Sequence, residues 1–382
     1  MVPPYRRPAT LAQVNASAQY RRIATLVVTI VLFAVFVFVG TSVQVPYVAL
    51  GPGPTVNTLS TVEVAAGKLP DGKVKTRPVP VVDIQGVPTD PTDGHLNLTT
   101  VSVSDGLSLF DALSRWVSRT ETLVPRESQY PPGQSNQQVR EQNNAQMSGS
   151  EQTAQAAALR QLNRPTKLVL TSVSDAGPAK GVLQRFDEVR AVGGTPVATV
   201  EQMQKAVRSH KPGDKVAVDV VRDGKPQTVT VTVGKIDGSD AKGKDVTVAY
   251  LGVIPAVVNA DPAMKITVNV GDIGGPSAGL MLSLAMVDRL SPGSLTGGKF
   301  IAGTGTITDE GQVGPIGGIT HKMEAAREAG ATLFLVPADN CTEALTDVPK
   351  GLTLVKVDSL SHAVDSLHAA VAGKPTPSCS AH

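Results

Sequence analysis

Residues Gly271 to Gly279 read Gly-Asp-Ile-Gly-Gly-Pro-Ser-Ala-Gly and run straight into Leu280–Val287, which is apolar almost throughout. The pattern predicts a strand, a glycine-rich turn and a buried helix with Ser277 at its start. A serine there lies among backbone N–H groups that have no partner inside the helix, at the positive end of its dipole. Such donors suit an oxyanion, and so a nucleophilic serine. The same serine could equally be a helix N-cap with no chemistry. A second stretch, Thr304 to Ala326, passes from a strand through glycine turns into another helix, with Lys322 near its start between Ile319 and Met323. The dipole and apolar neighbours both disfavour a charged amine there. A neutral amine can take a proton from a serine hydroxyl. The plain alternative is a surface lysine whose stem covers apolar neighbours.

Other pairings are weaker. Gly275-Pro-Ser-Ala-Gly279 also fits the G-x-S-x-G elbow of α/β-hydrolases, with His362 or His368 as base. That elbow needs a strand leading directly into the first glycine, and Gly271-Asp-Ile-Gly274 intervenes. Ser239-Asp-Ala-Lys242 has S-x-x-K spacing but sits in a polar turn. His321 adjoins Lys322, and neighbouring helical residues point apart, so at most one faces Ser277. Gly293-Ser-Leu-Thr-Gly-Gly-Lys-Phe300 has phosphate-loop spacing but ends in Phe300 where Ser or Thr must reach magnesium.

Residues 1–22 carry Arg6, Arg7, Arg21 and Arg22 and no acid, and 23–43 are uncharged. About 20 such residues span the hydrocarbon of a bilayer. Positive-inside logic places the N-terminus in the cytoplasm and the rest outside. A cleaved signal peptide would have a shorter apolar run and a small-residue cleavage site. Residues 44–75 read as an extended stalk or edge strand. Val79–Val82 and His95–Val103 favour strands, and Leu107–Val117 a helix. Arg126–Ser150, crowded with Gln and Asn, reads as a flexible linker, and Met147–Leu162 as a helix ended by Pro165. Residues 164–234 alternate as strands around a helix at Val200–Val207, with an Asp223-Gly224 hairpin.

Composition narrows the function. The chain has 382 residues, net charge +2 and 3% aromatic residues. Neither the basic field nor the stacking platform of a nucleic-acid binder is present. The two cysteines cannot build a disulfide framework or a four-thiolate zinc site. We expect Cys341 to be a small packed residue and Cys379 to lie in a loose tail, 373–382. One bridge between them is the alternative in an oxidising compartment. No cofactor or metal is expected.

Residues 164–234 resemble a PDZ domain of the bacterial protease-associated kind. Ala176-Gly-Pro-Ala179, Asp187-Glu-Val189, Gly193-Gly194, Lys211-Pro-Gly-Asp214 and Arg222-Asp-Gly224 carry the resemblance, and Phe186 stands where that family commonly has glycine. It implies binding of an extended peptide by strand addition. The edge expected to receive it is Leu168, Val169, Leu170, Thr171, Ser172 and Val173. The two chemistry-bearing stretches together resemble the Lon proteolytic domain, over 236–372. The matching blocks are Gly275-Pro-Ser-Ala-Gly279, Thr304-Gly305, Gly311-Gln-Val313 and Pro315-Ile-Gly-Gly-Ile319 with Lys322 and Ala325-Ala326. Ile273-Gly274 replaces that family's usual Lys-Asp. The resemblance implies Ser277 as nucleophile, Lys322 as base and Thr304 as the lysine's orienting partner, with Gly275, Pro276 and Ala278 on the supporting, oxyanion side. Anchor, PDZ domain and protease domain without Lon's ATPase module resemble the PDZ-containing Lon-like serine proteases of bacteria. We therefore expect an α+β chain that is a membrane-anchored, ATP-independent endopeptidase acting on extracytoplasmic polypeptides, with no nucleotide or nucleic-acid partner. A hexameric ring is implied by resemblance alone. His95–Val103 and Met147–Leu162 look like early parts of a Lon domain, so the PDZ unit would interrupt it. From another class, the chain would be an inactive membrane-tethered peptide sensor.

Overall fold

The computed structural model describes residues 11–68, 74–118, 120–239, 245–271 and 273–380. Arg6, Arg7, Asp272 and Asp240–Lys242 of the S-x-x-K string lie outside the described residues. In chain order the helices are α1 (Leu11–Ser42), α2 (Leu109–Trp116), α3 (Asn136–Gln161), α4 (Val200–Arg208), α5 (Gly279–Leu290), α6 (Ile319–Glu328), α7 (Cys341–Ala344) and α8 (Leu360–Val371). The chain divides into two compact units, one within residues 1–51 and 102–134 and the other within 52–101 and 135–382.

The first unit holds α1, whose stretch Tyr20–Ser42 is long and apolar enough to cross a membrane. It begins inside the expected tail. Beyond it, Tyr47–Leu50 pairs antiparallel with the Thr122–Pro125 strand. The described residues of 44–75 are not a stalk: Tyr47–Asn57 is a sheet strand, and in the second unit Thr61–Lys68 pairs antiparallel with Val74–Pro80. Ser108 caps α2 in a reciprocal capping box with Asp111, which satisfies two N–H groups at the helix start.

In the second unit, strands Thr353–Val357, Leu333–Pro337 and Phe300–Gly303 lie side by side and parallel, and Phe300–Gly303 pairs parallel on its other side with His95–Leu98. Lys265–Val268 pairs with Val82–Gln85. One core joins Leu59, Leu96 and Leu98, then Met147 and Leu159, to Leu280–Val287, Leu335 and Leu367. Residues on both sides of 166–259 thus pack together. α5 lies inside this core, as a helix apolar on every face must.

The linker reading of Arg126–Ser150 is corrected. α3 starts at Asn136, under a capping box of Ser135 and Gln138. Its Gln- and Asn-rich sequence stays helical because Val139, Met147, Ser150 and Ala154 turn one side into the interior.

The second sheet runs Lys225–Thr232, Lys215–Arg222, Glu188–Val192, Thr166–Val173, Val253–Asn259. Its last strand lies beyond the expected boundary at 234. That strand pairs antiparallel with Thr166–Val173 from Val253↔Val173 to Asn259↔Thr166. Asp223 and Gly224 both have positive φ, 51° and 75°, as a two-residue hairpin of matching twist requires. Phe186 has φ 71°, which explains why glycine is usual there. The conformation is held by Phe186 N–H donating to the Leu170 carbonyl at 2.7 Å. Next door, buried Asp187 accepts from Arg222 at 2.7 and 2.6 Å.

Cys341 and Cys379 are joined in a disulfide, so the expectation of a loose cysteine tail is corrected. The Pro377 carbonyl also accepts from Lys356 N–H at 2.9 Å, holding the tail on the Thr353–Val357 strand.

Candidate active site

Ser277 sits on the turn that feeds α5, and α3 holds that turn from behind. Gly275 has φ 90° and donates its N–H to the Asn143 carbonyl at 2.9 Å. Ser150 Oγ donates to the Pro276 carbonyl at 3.0 Å. A Cβ on Gly279 would come within 2.8 Å of Ile307 Cγ2, so only glycine lets α5 start so close to the Thr306–Ile307 strand. The Ser277 carbonyl accepts from Gly305 N–H at 3.0 Å and from Thr304 Oγ1 at 3.1 Å. Its backbone is fixed from two sides.

The residue capping α5 is Ala278, and no side chain caps this end. Ser277 Oγ is therefore not spent as an N-cap. It lies 2.8 Å from Lys322 Nζ. Lys322 is in the first turn of α6 and is 3% exposed. Burial lowers its pKa to about 8 from 10.5. Nζ also donates to Thr304 Oγ1 at 3.0 Å. The Thr304 hydroxyl hydrogen goes to the Ser277 carbonyl, so its lone pairs face Nζ. A neutral amine that gives one N–H to Thr304 can turn its own lone pair to the Ser277 hydroxyl.

α6 is positioned just as firmly. Asn340 clamps Ile316 with two amide bonds of 2.9 Å, Ile316 N–H to Oδ1 and Nδ2 to the Ile316 carbonyl. Gly318 then starts the helix in a left-handed conformation, φ 68°. Of the adjacent pair, Lys322 is the one that reaches Ser277. The His362 ring instead bonds Asp358 at 3.0 Å.

The expected supporting residues separate into different parts. Thr304 joins the pair directly. The Gly275 N–H is taken by Asn143, and Pro276 has no N–H, so neither can donate to an oxyanion. Ala278 remains, at the uncapped start of α5. Sequence reasoning missed Asn143, the contact of Ser150 with Pro276, and the Asn340 clamp. The spacing Ser135-x-x-Gln138 was the signal that helix extends back to Asn143.

The peptide edge expected at Leu168–Val173 is also corrected. That strand is interior, flanked by Glu188–Val192 and Val253–Asn259. The sheet's outer strand is Val253–Asn259. Alongside it runs a groove of about 420 Å³, walled by Met203, Val207 and Arg208 of α4 and by Leu251, Val253 and Ile254. A neighbouring cavity of about 480 Å³ shares Gln204, Ile254 and Pro255 and reaches Ile307 and Asp309. Asp309 Oδ2 accepts the Val200 N–H at the start of α4, 2.9 Å away. Burial raises the Asp309 pKa to about 6.

Residues 256–372 match the C-terminal proteolytic domain of Lon protease (S16), and residues 137–233 match the PDZ domain. The chain carries both kinds of domain. It is 38% identical over 93 residues to Lon protease of Heliobacterium modesticaldum, covering 24% of this chain and 11% of that protein. With Lon protease 1 of Bacillus subtilis it shares 35% identity over 104 residues, 26% of this chain and 13% of the relative. With the probable periplasmic serine endoprotease DegP-like of Ectopseudomonas mendocina it shares 37% over 76 residues, 20% and 16%. The chain thus spans well under a fifth of each of these relatives. Among solved structures, the PDZ domain of an SdrC-like protein from Listeria monocytogenes is 23% identical, with TM-score 0.19, over 23% of this chain and 84% of that one. The PDZ match stops short of the outer strand Val253–Asn259, which only the sheet pairing assigns.

Proposed function

We propose that the protein is a membrane-anchored serine endopeptidase that uses a Ser277–Lys322 dyad and acts on unfolded or membrane-tethered polypeptides outside the cytoplasm. The observation that carries the reading is the 2.8 Å contact between Ser277 Oγ and a buried Lys322 Nζ. In the first step Oγ attacks the scissile carbonyl carbon while its proton passes to Nζ. The carbonyl oxygen becomes an oxyanion at the uncapped start of α5, where the helix dipole favours negative charge. The Nζ proton then goes to the leaving amine, and the C–N bond breaks. The regenerated amine takes a proton from water as its oxygen attacks the acyl carbon, and Ser277 Oγ then leaves with that proton back from Nζ. Thr304 keeps Nζ aimed at Ser277 throughout.

The PDZ groove would take an extended peptide segment beside Val253–Pro255, against α4. The PDZ sheet is inserted in the proteolytic fold, between α3 and the Lys265–Val268 strand. Placement outside the cytoplasm is supported by Arg21 and Arg22 before the apolar stretch and by the Cys341–Cys379 disulfide, since such bonds persist in oxidising compartments. No ATP pool exists there, so the reaction is assigned no nucleotide.

The test uses the whole chain in detergent micelles with a disordered protein as substrate, chelator present and nucleotide absent. Cleavage that disappears in Ser277→Ala is the expected result. Substrate binding without cleavage by the unaltered chain would instead mark an inactive peptide sensor.

A further inference from the structure

α2 carries an apolar face whose far end no described residue of its own unit covers. Leu109, Leu113, Trp116 and Val117 recur at helical spacing on one side, and Asp111, Ser114, Arg115 and Ser118 fall on the other. Leu113 is 47%, Trp116 71% and Val117 76% exposed. With Val45, Tyr47 and Leu123, part of this face borders an apolar groove of about 360 Å³. On the polar side Arg115 pairs with Glu121. A solvated helix end has no use for a tryptophan, a valine and a leucine in a row on its surface.

The same unit holds the membrane-length stretch of α1, and the two helices touch. The Phe110 ring meets the Phe36 ring edge-on, centroids 5.2 Å apart. It also lies on Gly40, where a Cβ would come within 2.2 Å of it. Leu109 N–H donates to the Val43 carbonyl at 3.1 Å, and Val45 N–H to the Leu107 carbonyl at 2.9 Å. Phe36 lies six residues before Ser42, roughly 9 Å along a helix rising 1.5 Å per residue. Phe110 therefore sits at a depth still occupied by the apolar stretch. If α1 spans a bilayer, the start of α2 lies at or below the outer edge of the hydrocarbon.

From this juxtaposition we infer that α2 is an interfacial helix, whose face of Leu113, Trp116 and Val117 lies in the outer leaflet of the bilayer that α1 crosses. The inference rests on the anchor reading above. The partner is a lipid surface, and the argument is continuity with the membrane-spanning stretch. Tryptophan suits this place because its ring is apolar and its N–H is wet. An amphipathic helix of this kind buries its apolar face at the headgroup boundary and leaves its charges outward.

Trp116 is the only tryptophan in the chain, so intrinsic fluorescence reports this position alone. The whole chain is reconstituted into phosphatidylcholine vesicles, with or without bromine on the acyl chains near the headgroup. Brominated lipid should quench the emission roughly twofold or more, and acrylamide in the water should quench it weakly. Val117→Asp and Leu113→Asp, both at exposed positions, should reverse both effects while α1 keeps the chain in the vesicle. If the chain resists alkaline carbonate but Trp116 stays open to acrylamide, the α2 inference is wrong and the anchor stands. If carbonate strips the chain from the vesicles, the anchor reading fails and this inference with it. Trp116 shielded from acrylamide yet untouched by brominated lipid would mean that protein, such as a second copy, covers the face, and the lipid assignment would fall.

Discussion

Varying pH between 6 and 9 should move the rate of hydrolysis through Lys322. Its pKa of about 8 leaves roughly a tenth of the amine neutral at pH 7. At the ordinary 10.5 the fraction would be roughly 1 in 3,000. Burial thus raises the population of usable base about 300-fold. In the proposed mechanism the neutral form is the reactive one, so kcat/KM should rise about tenfold per pH unit below 8 and level off above it. Lys322→Ala should lose about 10²–10⁴-fold and erase the inflection. Lys322→Arg should not restore it, because a guanidinium stays protonated. The assay is the initial rate of the whole chain on a dye-labelled disordered protein, with circular dichroism at each pH to confirm folding. A near-normal rate in Lys322→Ala, together with loss of activity in His321→Ala or His362→Ala, would refute the reasoning.

Three further outcomes follow from particular contacts. Thr304→Val should lower kcat by about 1–2 kcal/mol of barrier, near the worth of one aligned hydrogen bond, with KM little changed in steady-state kinetics. Asp309→Asn should stabilise the protein at pH 7: the folded-state pKa is raised from 3.8 to about 6, so stability present below 3.8 is lost as pH rises through 6. Up to about 3 kcal/mol is at stake, read as a denaturation midpoint that falls less steeply with rising pH in that window, with neighbouring Glu310 left in place. Reducing the Cys341–Cys379 disulfide, whose partners are 38 residues apart, should cost up to about 4 kcal/mol by loop entropy and lower the melting temperature.

The site was legible in the sequence because its parts are local. Ser277 and Lys322 each stand a fixed step from a glycine turn and an apolar helix, and those short patterns say where each side chain must lie. That the two meet across 45 residues rested on resemblance. What stayed hidden was set by distant pairing. Nothing within Leu168–Val173 tells that Val253–Asn259 will lie beside it, because strand partners are chosen by the whole sheet. The link between Cys341 and Cys379 is of the same kind. Asn136–Ser150 misled through composition, since its few buried positions are diluted by exposed Gln and Asn. The glycine-like conformation of Phe186 was visible only as a departure from a family habit.

The antiparallel pairing of Thr166 with Asn259 has a consequence for how the chain finds its fold. The two ends of a segment of ~100 residues are brought side by side once the PDZ sheet closes. For the remaining chain, that segment then counts as a link of a few residues. Bringing α3 to the Lys265–Val268 strand and to α5 becomes a short-range search. By the logarithmic cost of loop closure, shortening the loop about twentyfold saves roughly 2–3 kcal/mol of chain entropy. A PDZ sheet that forms early would thus act as a clasp for the halves of the larger core, in addition to any peptide it holds. Replacing residues 166–259 by a short glycine-serine linker should leave that core able to form, whereas cutting the chain within the PDZ hairpin at Asp223-Gly224 before folding should slow its assembly.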